Sequence, residues 1–183
     1  MKKNILILGG AGFIGSYVVR ELLKDPEVQI TIIDNFSKYG IIHHDFFDDE
    51  RVDLKVRDVR VMYPSEYKGY DIVICLAALI GGIQYFHKIP YQISRDNNEV
   101  LAHAIDCTLS SCPDATFVYF SSSMVYERNQ EPVTEKDAYN QLIPFTNYGM
   151  QKLYGEYMVR GANLEYGLKY LIIRPFNAVG SGE

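Results

Sequence analysis

The chain has 183 residues, of which 48% are hydrophobic and 22% are charged, and its formal net charge is −5. These values are typical of one globular domain with a buried core. No basic run of the kind that binds nucleic acid is present, and no apolar stretch approaches the roughly 20 residues of a membrane span. The three cysteines have no metal-ligand spacing and fit a reducing, cytoplasmic protein. We therefore expect no nucleic-acid partner, no membrane segment and no bound metal.

Short apolar segments recur along the chain and predict β-strands, several of them without the alternation of half-exposed strands. The predicted strands are 5–8, 30–33, 54–56, 72–76, 117–120 and 170–173. Apolar residues at helical spacing predict helices at 13–24, 98–109 and 148–164. Strands that alternate with helices predict an α/β fold: a Rossmann-type, doubly wound parallel sheet with helices on both faces.

A glycine-rich turn joins the first predicted strand to the first predicted helix. Gly9 allows a tight turn, Gly12 lets a pyrophosphate approach the backbone, and Gly15 allows close packing of helix and strand. The pyrophosphate then lies at the N-terminus of the helix. Glycine-rich turns are common, so a plain structural turn is the alternative. The strand before and the helix after the glycines favour a dinucleotide site.

Acidic residues follow the second and third predicted strands. Asp34 can accept hydrogen bonds from the adenosine ribose, and its charge repels a 2′-phosphate, which favours NAD over NADP. Asp58 can approach the adenine. Either carboxylate could instead be a solvated residue at a strand end, and Arg57 and Arg60 beside Asp58 leave NADP open.

The last long predicted helix begins with Tyr148 and carries Lys152 on the same face, since residues four apart are neighbours on a helix. An ammonium ion beside a phenol favours the phenolate, so we expect Lys152 to lower the pKa of Tyr148. A tyrosine of this kind can take a proton from a substrate hydroxyl while hydride leaves carbon. The chain has 15 tyrosines, so a chance pairing on an exposed helix is the alternative.

A second feature supports the pair. The predicted strand at 117–120 runs into Ser121, Ser122 and Ser123, and open α/β sheets bind ligands outside the carboxyl ends of their strands. A serine hydroxyl there can hydrogen-bond a substrate oxygen and pass a proton to Tyr148. Ordinary loop chemistry is the alternative.

Taken together, these residues resemble the extended short-chain dehydrogenase/reductase superfamily, specifically its NAD-dependent nucleotide-sugar epimerase/dehydratase family. The likeness covers nearly the whole chain. The motifs that carry it are residues 9–15, 34–36, 58–59, 76–78, 97, 121–126, 148 with 152, and 174–177. The resemblance implies NAD as the cofactor, a nucleotide sugar as the substrate, and a homodimer formed through the helices at 98–109 and 148–164.

The resemblance also assigns roles to residues. The NAD-binding residues that it implies are Gly9, Gly12, Phe13, Ile14, Gly15, Asp34, Asn35, Asp58, Val59, Leu76, Ala77, Ala78, Asn97, Ser121, Tyr148, Lys152, Pro175 and Phe176. The implied catalytic residues are Ser122, Tyr148 and Lys152, and the implied substrate contacts are Ser122, Ser123 and Asn177. Within these sets, Asn97 supports the active-site helix, while Pro175 and Phe176 flank the nicotinamide. NAD would take a hydride from the sugar, usually at C4, while Tyr148 takes the hydroxyl proton.

The residues at positions 123 and 124 reduce the number of reactions that are expected. Dehydratases of this kind carry an acidic pair just after the catalytic Ser or Thr, where this chain has Ser123 and Met124. Met124 also replaces the cysteine that GDP-fucose synthase and GDP-mannose 3,5-epimerase use, and a thioether cannot transfer a proton. Elimination therefore favours a 4-epimerase. A nucleotide-sugar dehydratase and an NAD(P)H-dependent keto-sugar reductase are the alternatives.

Family members usually continue for well over 100 further residues, which form most of the nucleotide-sugar subdomain. We therefore expect residues 1–183 to be the NAD-binding Rossmann domain, with the substrate subdomain largely absent. An NAD-binding module without turnover is a further alternative for a chain of this length.

Overall fold

The computed structural model describes residues 2–80, 88–129, 131–140 and 143–182. Within them, parallel strands form one sheet in the order β3-β2-β1-β4-β5-β6. The strands are β1 (Lys3–Leu8), β2 (Val28–Asp34), β3 (Val52–Val56), β4 (Ile72–Cys75), β5 (Thr116–Phe120) and β6 (Lys169–Ile173). The α-helices of the described residues are α1 (Phe13–Leu22), α2 (Pro90–Ser111) and α3 (Asn147–Tyr166). This strand order confirms the predicted Rossmann-type sheet.

The central strand β1 separates two apolar core layers, because successive side chains of a strand point to opposite faces of the sheet. Leu6 and Leu8 pack in the layer that includes residues of α2 and α3. Ile5 and Ile7 pack in the opposite layer, which includes Val19 of α1. Helices therefore cover both faces of the sheet, which explains why β1 is apolar without alternation.

The helix bounds differ from the predicted ones mainly at the start of α2. This helix begins at Pro90 rather than at residue 98, with the proline in the first turn, where its missing N–H group is not needed. The first turns are largely polar and partly exposed, so helical periodicity is weak there. Helix α3 ends at Gly167, whose φ of 76° supplies the left-handed conformation that commonly terminates helices.

The strand order places a crevice at the carboxyl ends of β1 and its neighbours. Leu8 at the end of β1 lies opposite Ile33 of β2 and Cys75 of β4. From β1 the sheet continues through β2 on one side and through β4 on the other, so the strand order reverses there. Ligands bind at this kind of position in open α/β sheets.

No helix within the described ranges is long and apolar enough to cross a membrane. The same ranges contain no group of three or more His, Cys, Asp or Glu side chains that could hold a metal ion. Cys75, Cys107 and Cys112 are buried, free thiols, as expected for core residues. The cytoplasmic location stays a prediction.

Candidate active site

A cleft of about 920 Å³ opens at the carboxyl ends of the strands. Its volume is in the range of small-molecule and cofactor sites. The predicted site residues line this cleft from separate parts of the chain, with the single exception of Phe176. The fold therefore brings together residues that are up to about 170 positions apart in sequence, between Gly9 and Asn177.

The glycines of the turn after β1 serve two different purposes. Gly9 has a φ of +85°, and a Cβ atom at this position would lie 2.7 Å from the backbone nitrogen of Ala77. A Cβ atom at Gly15 would lie 2.8 Å from the Cα atom of Gly10. Both positions therefore need glycine for reasons of protein packing alone.

Gly12 is different, because the protein itself leaves room for a side chain there. Its φ of −72° is accessible to any residue, and a Cβ atom would lie no closer than 3.6 Å to its nearest neighbour, the Gly9 carbonyl oxygen. Gly12 lines the cleft and precedes the first turn of α1, which contains no acidic residue. A bare backbone at a helix N-terminus is what a pyrophosphate requires, so this turn fits a dinucleotide.

Asp34 connects the glycine-rich turn to the end of β2 by hydrogen bonds. Its Oδ2 atom accepts a 3.0 Å hydrogen bond from the amide of Ala11, and its Oδ1 atom accepts a 2.9 Å bond from the amide of Phe36. His44 lies across the same turn, with its Nε2 atom 2.9 Å from the carbonyl oxygen of Ala11. A carboxylate oxygen can accept more than one hydrogen bond, so these contacts leave acceptor capacity for ribose hydroxyls.

Arg57 and Arg60, the two arginines that allow NADP as an alternative cofactor, are both paired with carboxylates. Arg57 donates a 2.7 Å hydrogen bond to Glu66, and Arg60 donates a 2.7 Å hydrogen bond to Asp58. The hydrogen bonds from Arg60 lower the pKa of Asp58 to about 2. These pairings hold the two cationic groups on protein carboxylates, so the arrangement favours NAD over NADP.

Ser122, Tyr148 and Lys152 converge where β5 ends and α3 begins. Ser122 precedes a short 3-10 turn and accepts a 3.2 Å hydrogen bond from the amide of Met124. Its side chain also hydrogen-bonds Tyr148, which is 4% exposed. Thr146 caps α3 by accepting a 3.0 Å bond from the amide of Gly149, which fixes where this helix begins.

The pKa of Tyr148 moves in the direction opposite to the predicted one. Burial raises the pKa of Tyr148, and its hydrogen bond with Ser122 only partly offsets that effect. Lys152 directs its ammonium group to the end of β5. Its Nζ atom donates a 2.8 Å bond to the carbonyl oxygen of Phe120 and lies 5.8 Å from the centroid of the Tyr148 ring. The expected lowering of the Tyr148 pKa by Lys152 is therefore wrong for this structure, because burial sets the direction of the shift.

Asn97 connects the loop after β4 to α3. Its Oδ1 atom accepts a 2.5 Å hydrogen bond from the amide of Leu79, and its Nδ2 atom donates to the Leu79 carbonyl oxygen at 3.1 Å. The same Nδ2 group donates to Gln151 at 3.4 Å. This geometry supports the role in holding the active-site helix that the resemblance implies.

The segment after β6 reaches the cleft through Pro175 and Asn177, whereas Phe176 does not line it. The Phe176 ring is 64% exposed and stacks on Tyr126, with ring centroids 6.1 Å apart. The predicted contact between Phe176 and the nicotinamide is therefore not supported by the geometry. Stacking on Tyr126 holds the Phe176 ring away from the cleft.

Sequence reasoning missed one buried residue beside the site. Glu156 is 0% exposed and lies one helical turn beyond Lys152 on the same face of α3. Four residues separate Tyr148 from Lys152 and four more separate Lys152 from Glu156, and this spacing is the signal that could have revealed it.

The fold and the cleft together define a dinucleotide-binding domain of the extended short-chain dehydrogenase/reductase type. The chain belongs to the NAD dependent epimerase/dehydratase family, whose model matches residues 5–183. The family is NAD-dependent, which confirms the prediction of NAD as the cofactor.

Similar proteins are nucleotide-sugar enzymes. A UDP-glucose 4-epimerase of Halalkalibacterium halodurans is 31% identical over 97% of this chain and 51% of its own length. The UDP-N-acetylglucosamine 4-epimerase of Methanobrevibacter ruminantium M1, solved with UDP-N-acetylmuramic acid, has a TM-score of 0.86 and 28% identity over 100% of this chain and 57% of its own. The UDP-glucuronic acid 4-epimerase of Bacillus cereus, solved with UDP-glucuronic acid and NAD, has a TM-score of 0.81 and 26% identity over 93% and 55% of the two chains. The present chain thus spans about half the length of the relatives that it matches.

Proposed function

We propose that this protein is a nucleotide-sugar 4-epimerase that acts through a transient 4-keto sugar. The observation that carries the proposal is the convergence of Ser122, Tyr148 and Lys152 beside the dinucleotide cleft. A protein that only binds NAD needs the glycine-rich turn but has no need of a proton-transfer set. When bound, NAD supplies reversible hydride transfer, and the residues of the chain manage the proton that accompanies it.

The buried phenol is placed to exchange that proton. Ser122 would hydrogen-bond the 4-hydroxyl of the sugar, and Tyr148 would take the proton as the hydroxyl becomes a ketone. Lys152, which lines the cleft, would hold the nicotinamide ribose. Tyr148 would then give the proton back to the oxygen of the ketone, and bound NAD would supply the hydride for the opposite face of C4.

The distribution of carboxylates favours epimerisation over dehydration. Ser123 and Met124 follow the catalytic serine, and neither can act as an acid or base on the neighbouring carbon. The acidic residues that line the cleft in the described part of the chain are Asp34, Asp58 and Asp96. Asp34 is held by the glycine-rich turn, Asp58 is paired with Arg60 and Asp96 is paired with Arg95, so all three carboxylates are already engaged by the protein.

The substrate class follows from the relatives together with the site. We infer a nucleoside diphosphate sugar, with the hexose near Ser122, Ser123 and Asn177, the three predicted substrate contacts that line the cleft. We also infer a homodimer formed through α2 and α3. Tyr154 and Tyr157 of α3 are 56% and 47% exposed, and aromatic side chains are enriched at protein interfaces.

The test is interconversion of UDP-glucose and UDP-galactose by the protein with NAD, followed by chromatography. We expect turnover that Tyr148→Phe abolishes, whereas Tyr63→Phe, which alters an exposed tyrosine outside the cleft, leaves it unchanged. Accumulation of a dehydrated 4-keto product would indicate a dehydratase, and consumption of NADH or NADPH with a keto sugar would indicate a reductase. NAD binding without any turnover would support the binding-module alternative.

A further inference from the structure

A buried acidic group that the proposed chemistry does not use lies at the centre of α3. Glu156 accepts hydrogen bonds from Ser121 Oγ at 2.5 Å and from the Tyr139 hydroxyl at 2.8 Å. Arg174 adds a bidentate pair, with its Nε and Nη2 atoms 2.7 and 2.6 Å from the two carboxylate oxygens. Both oxygens of Glu156 are therefore satisfied by the protein itself.

Arg174 extends the contacts further. Its Nη1 atom donates to the Tyr126 hydroxyl and to the carbonyl oxygen of Glu135, the latter at 2.8 Å. Its guanidinium carbon lies 5.1 Å from the centroid of the Tyr126 ring and 5.2 Å from that of Tyr139. We call Glu156, Arg174 and these partners the Glu156–Arg174 clamp. The clamp joins the ends of β5 and β6, the two 3-10 turns between β5 and α3, and α3 itself.

The members of the clamp are neighbours of the site residues. Ser121 directly precedes Ser122, Arg174 directly precedes Pro175, and Glu156 lies one helical turn from Lys152. Glu156 and Arg174 do not line the cleft. They can therefore influence chemistry only through neighbouring residues, by fixing where these lie and, for Glu156, through a charge that partly opposes the lowering of the Lys152 pKa by burial.

Stability alone does not explain a buried ion pair. Removing two charges from water has a large desolvation cost, and well-packed apolar residues in the same space are often equally or more stabilising. The side chain of Glu156 is 0% exposed and that of Arg174 is 9% exposed, so that cost applies to both. A bidentate guanidinium–carboxylate pair does supply directional geometry, which apolar contacts do not.

We propose that the Glu156–Arg174 clamp is a positioning device, which sets α3 in register with the ends of β5 and β6 so that Tyr148 and Lys152 face Ser122 and Pro175. The effect of the clamp on NAD binding does not depend on which reaction the protein catalyses. Its effect on turnover rests on the proposed epimerase function.

The test separates positioning from stability. Glu156→Gln leaves a buried arginine without its charged partner, which lowers stability and also disturbs the geometry of the site. The double variant Glu156→Met with Arg174→Met removes both charges and restores stability towards that of the wild type in urea unfolding. We expect it nevertheless to bind NAD about tenfold more weakly in calorimetry and to lower kcat about 100-fold with little change in KM, as small displacements of reacting groups do.

The matched control is Asp49→Asn, which breaks the bidentate pair between Asp49 and Arg51 outside the cleft. This variant is expected to lower stability and to keep the NAD affinity of the wild type. A double variant that regains stability, NAD affinity and turnover together would overturn the clamp proposal. If the wild-type protein has no turnover, the epimerase proposal fails, while the NAD affinities of the same variants still decide the clamp.

Discussion

The ammonium group of Lys152 donates a 2.8 Å hydrogen bond to the carbonyl oxygen of Phe120, the last residue of β5. This bond joins the second turn of α3 to the strand that leads into Ser121 and Ser122. It also places a cation in the interior, where Lys152 is 6% exposed. Burial lowers the pKa of Lys152 to about 8, and the charge of Glu156 partly opposes that shift.

Lys152→Met should reveal this shift as a pH dependence of stability. Between pH 8 and about pH 10.4, the usual pKa of lysine, the unfolded chain binds more protons at residue 152 than the folded protein does. Stability therefore rises with pH across that interval in the wild type relative to the variant. We expect the difference in free energy of unfolding to change by about 1–3 kcal/mol in urea titrations.

Below pH 8 the same difference should be constant, because Lys152 is then protonated in both states. Lys55→Met, at a partly exposed lysine of β3, provides the control for loss of a lysine side chain elsewhere in the sheet. A flat difference for Lys152→Met between pH 8 and 10 would mean that residue 152 is not a buried cation in solution.

Local patterns explain why much of the fold and cleft could be predicted. Most strands contain a short apolar run, and the glycine-rich turn and the Tyr148–Lys152 spacing are both contained within a few neighbouring residues. Asp34 is recognisable because it ends a strand. Each of these features depends only on residues close together in the sequence, so it can be predicted without knowledge of the fold.

What could not be predicted depends on distant contacts. The partners of Glu156 come from β5 and β6, and they meet only because the sheet places these strands side by side. The direction of the Tyr148 pKa shift depends on burial, which spacing on a helix does not reveal. Phe176 points away from the cleft because Tyr126 offers it a stacking partner 50 positions earlier in the chain.

Gly12→Ala should separate cofactor binding from folding. The protein has room for the added methyl group, whose nearest neighbour would be 3.6 Å away, so the free energy of unfolding should change by less than about 0.5 kcal/mol. The methyl group would occupy the space of a pyrophosphate, and we expect calorimetry to show at least a tenfold loss of NAD affinity, or about 1.4 kcal/mol.

Gly161→Ala is the matched control, since a Cβ atom at Gly161 of α3 has no neighbour within 4 Å. It should raise stability by up to about 1 kcal/mol through helix propensity and leave NAD binding unchanged. Wild-type NAD affinity in Gly12→Ala would show that the pyrophosphate does not lie against this turn.

Asp34→Asn should weaken the cofactor site through the turn as well as through the ribose. The carboxylate accepts one hydrogen bond at each oxygen, from the amides of Ala11 and Phe36. An asparagine side chain has only one acceptor oxygen, so one of these donors loses its partner. We expect a loss of about 1–3 kcal/mol in the free energy of unfolding measured without cofactor.

The NAD affinity of Asp34→Asn should fall by more than tenfold in calorimetry, because a charged acceptor for the ribose hydroxyls is lost together with the order of the turn. Asp53→Asn, at an exposed position of β3, should change neither quantity. If Asp34→Asn keeps full stability but loses NAD affinity, the carboxylate contacts the ribose without fastening the turn. Loss of stability with NAD affinity retained would instead make Asp34 a residue of the turn alone, and the preference for NAD over NADP would then depend on the pairing of Arg57 and Arg60 with their carboxylates.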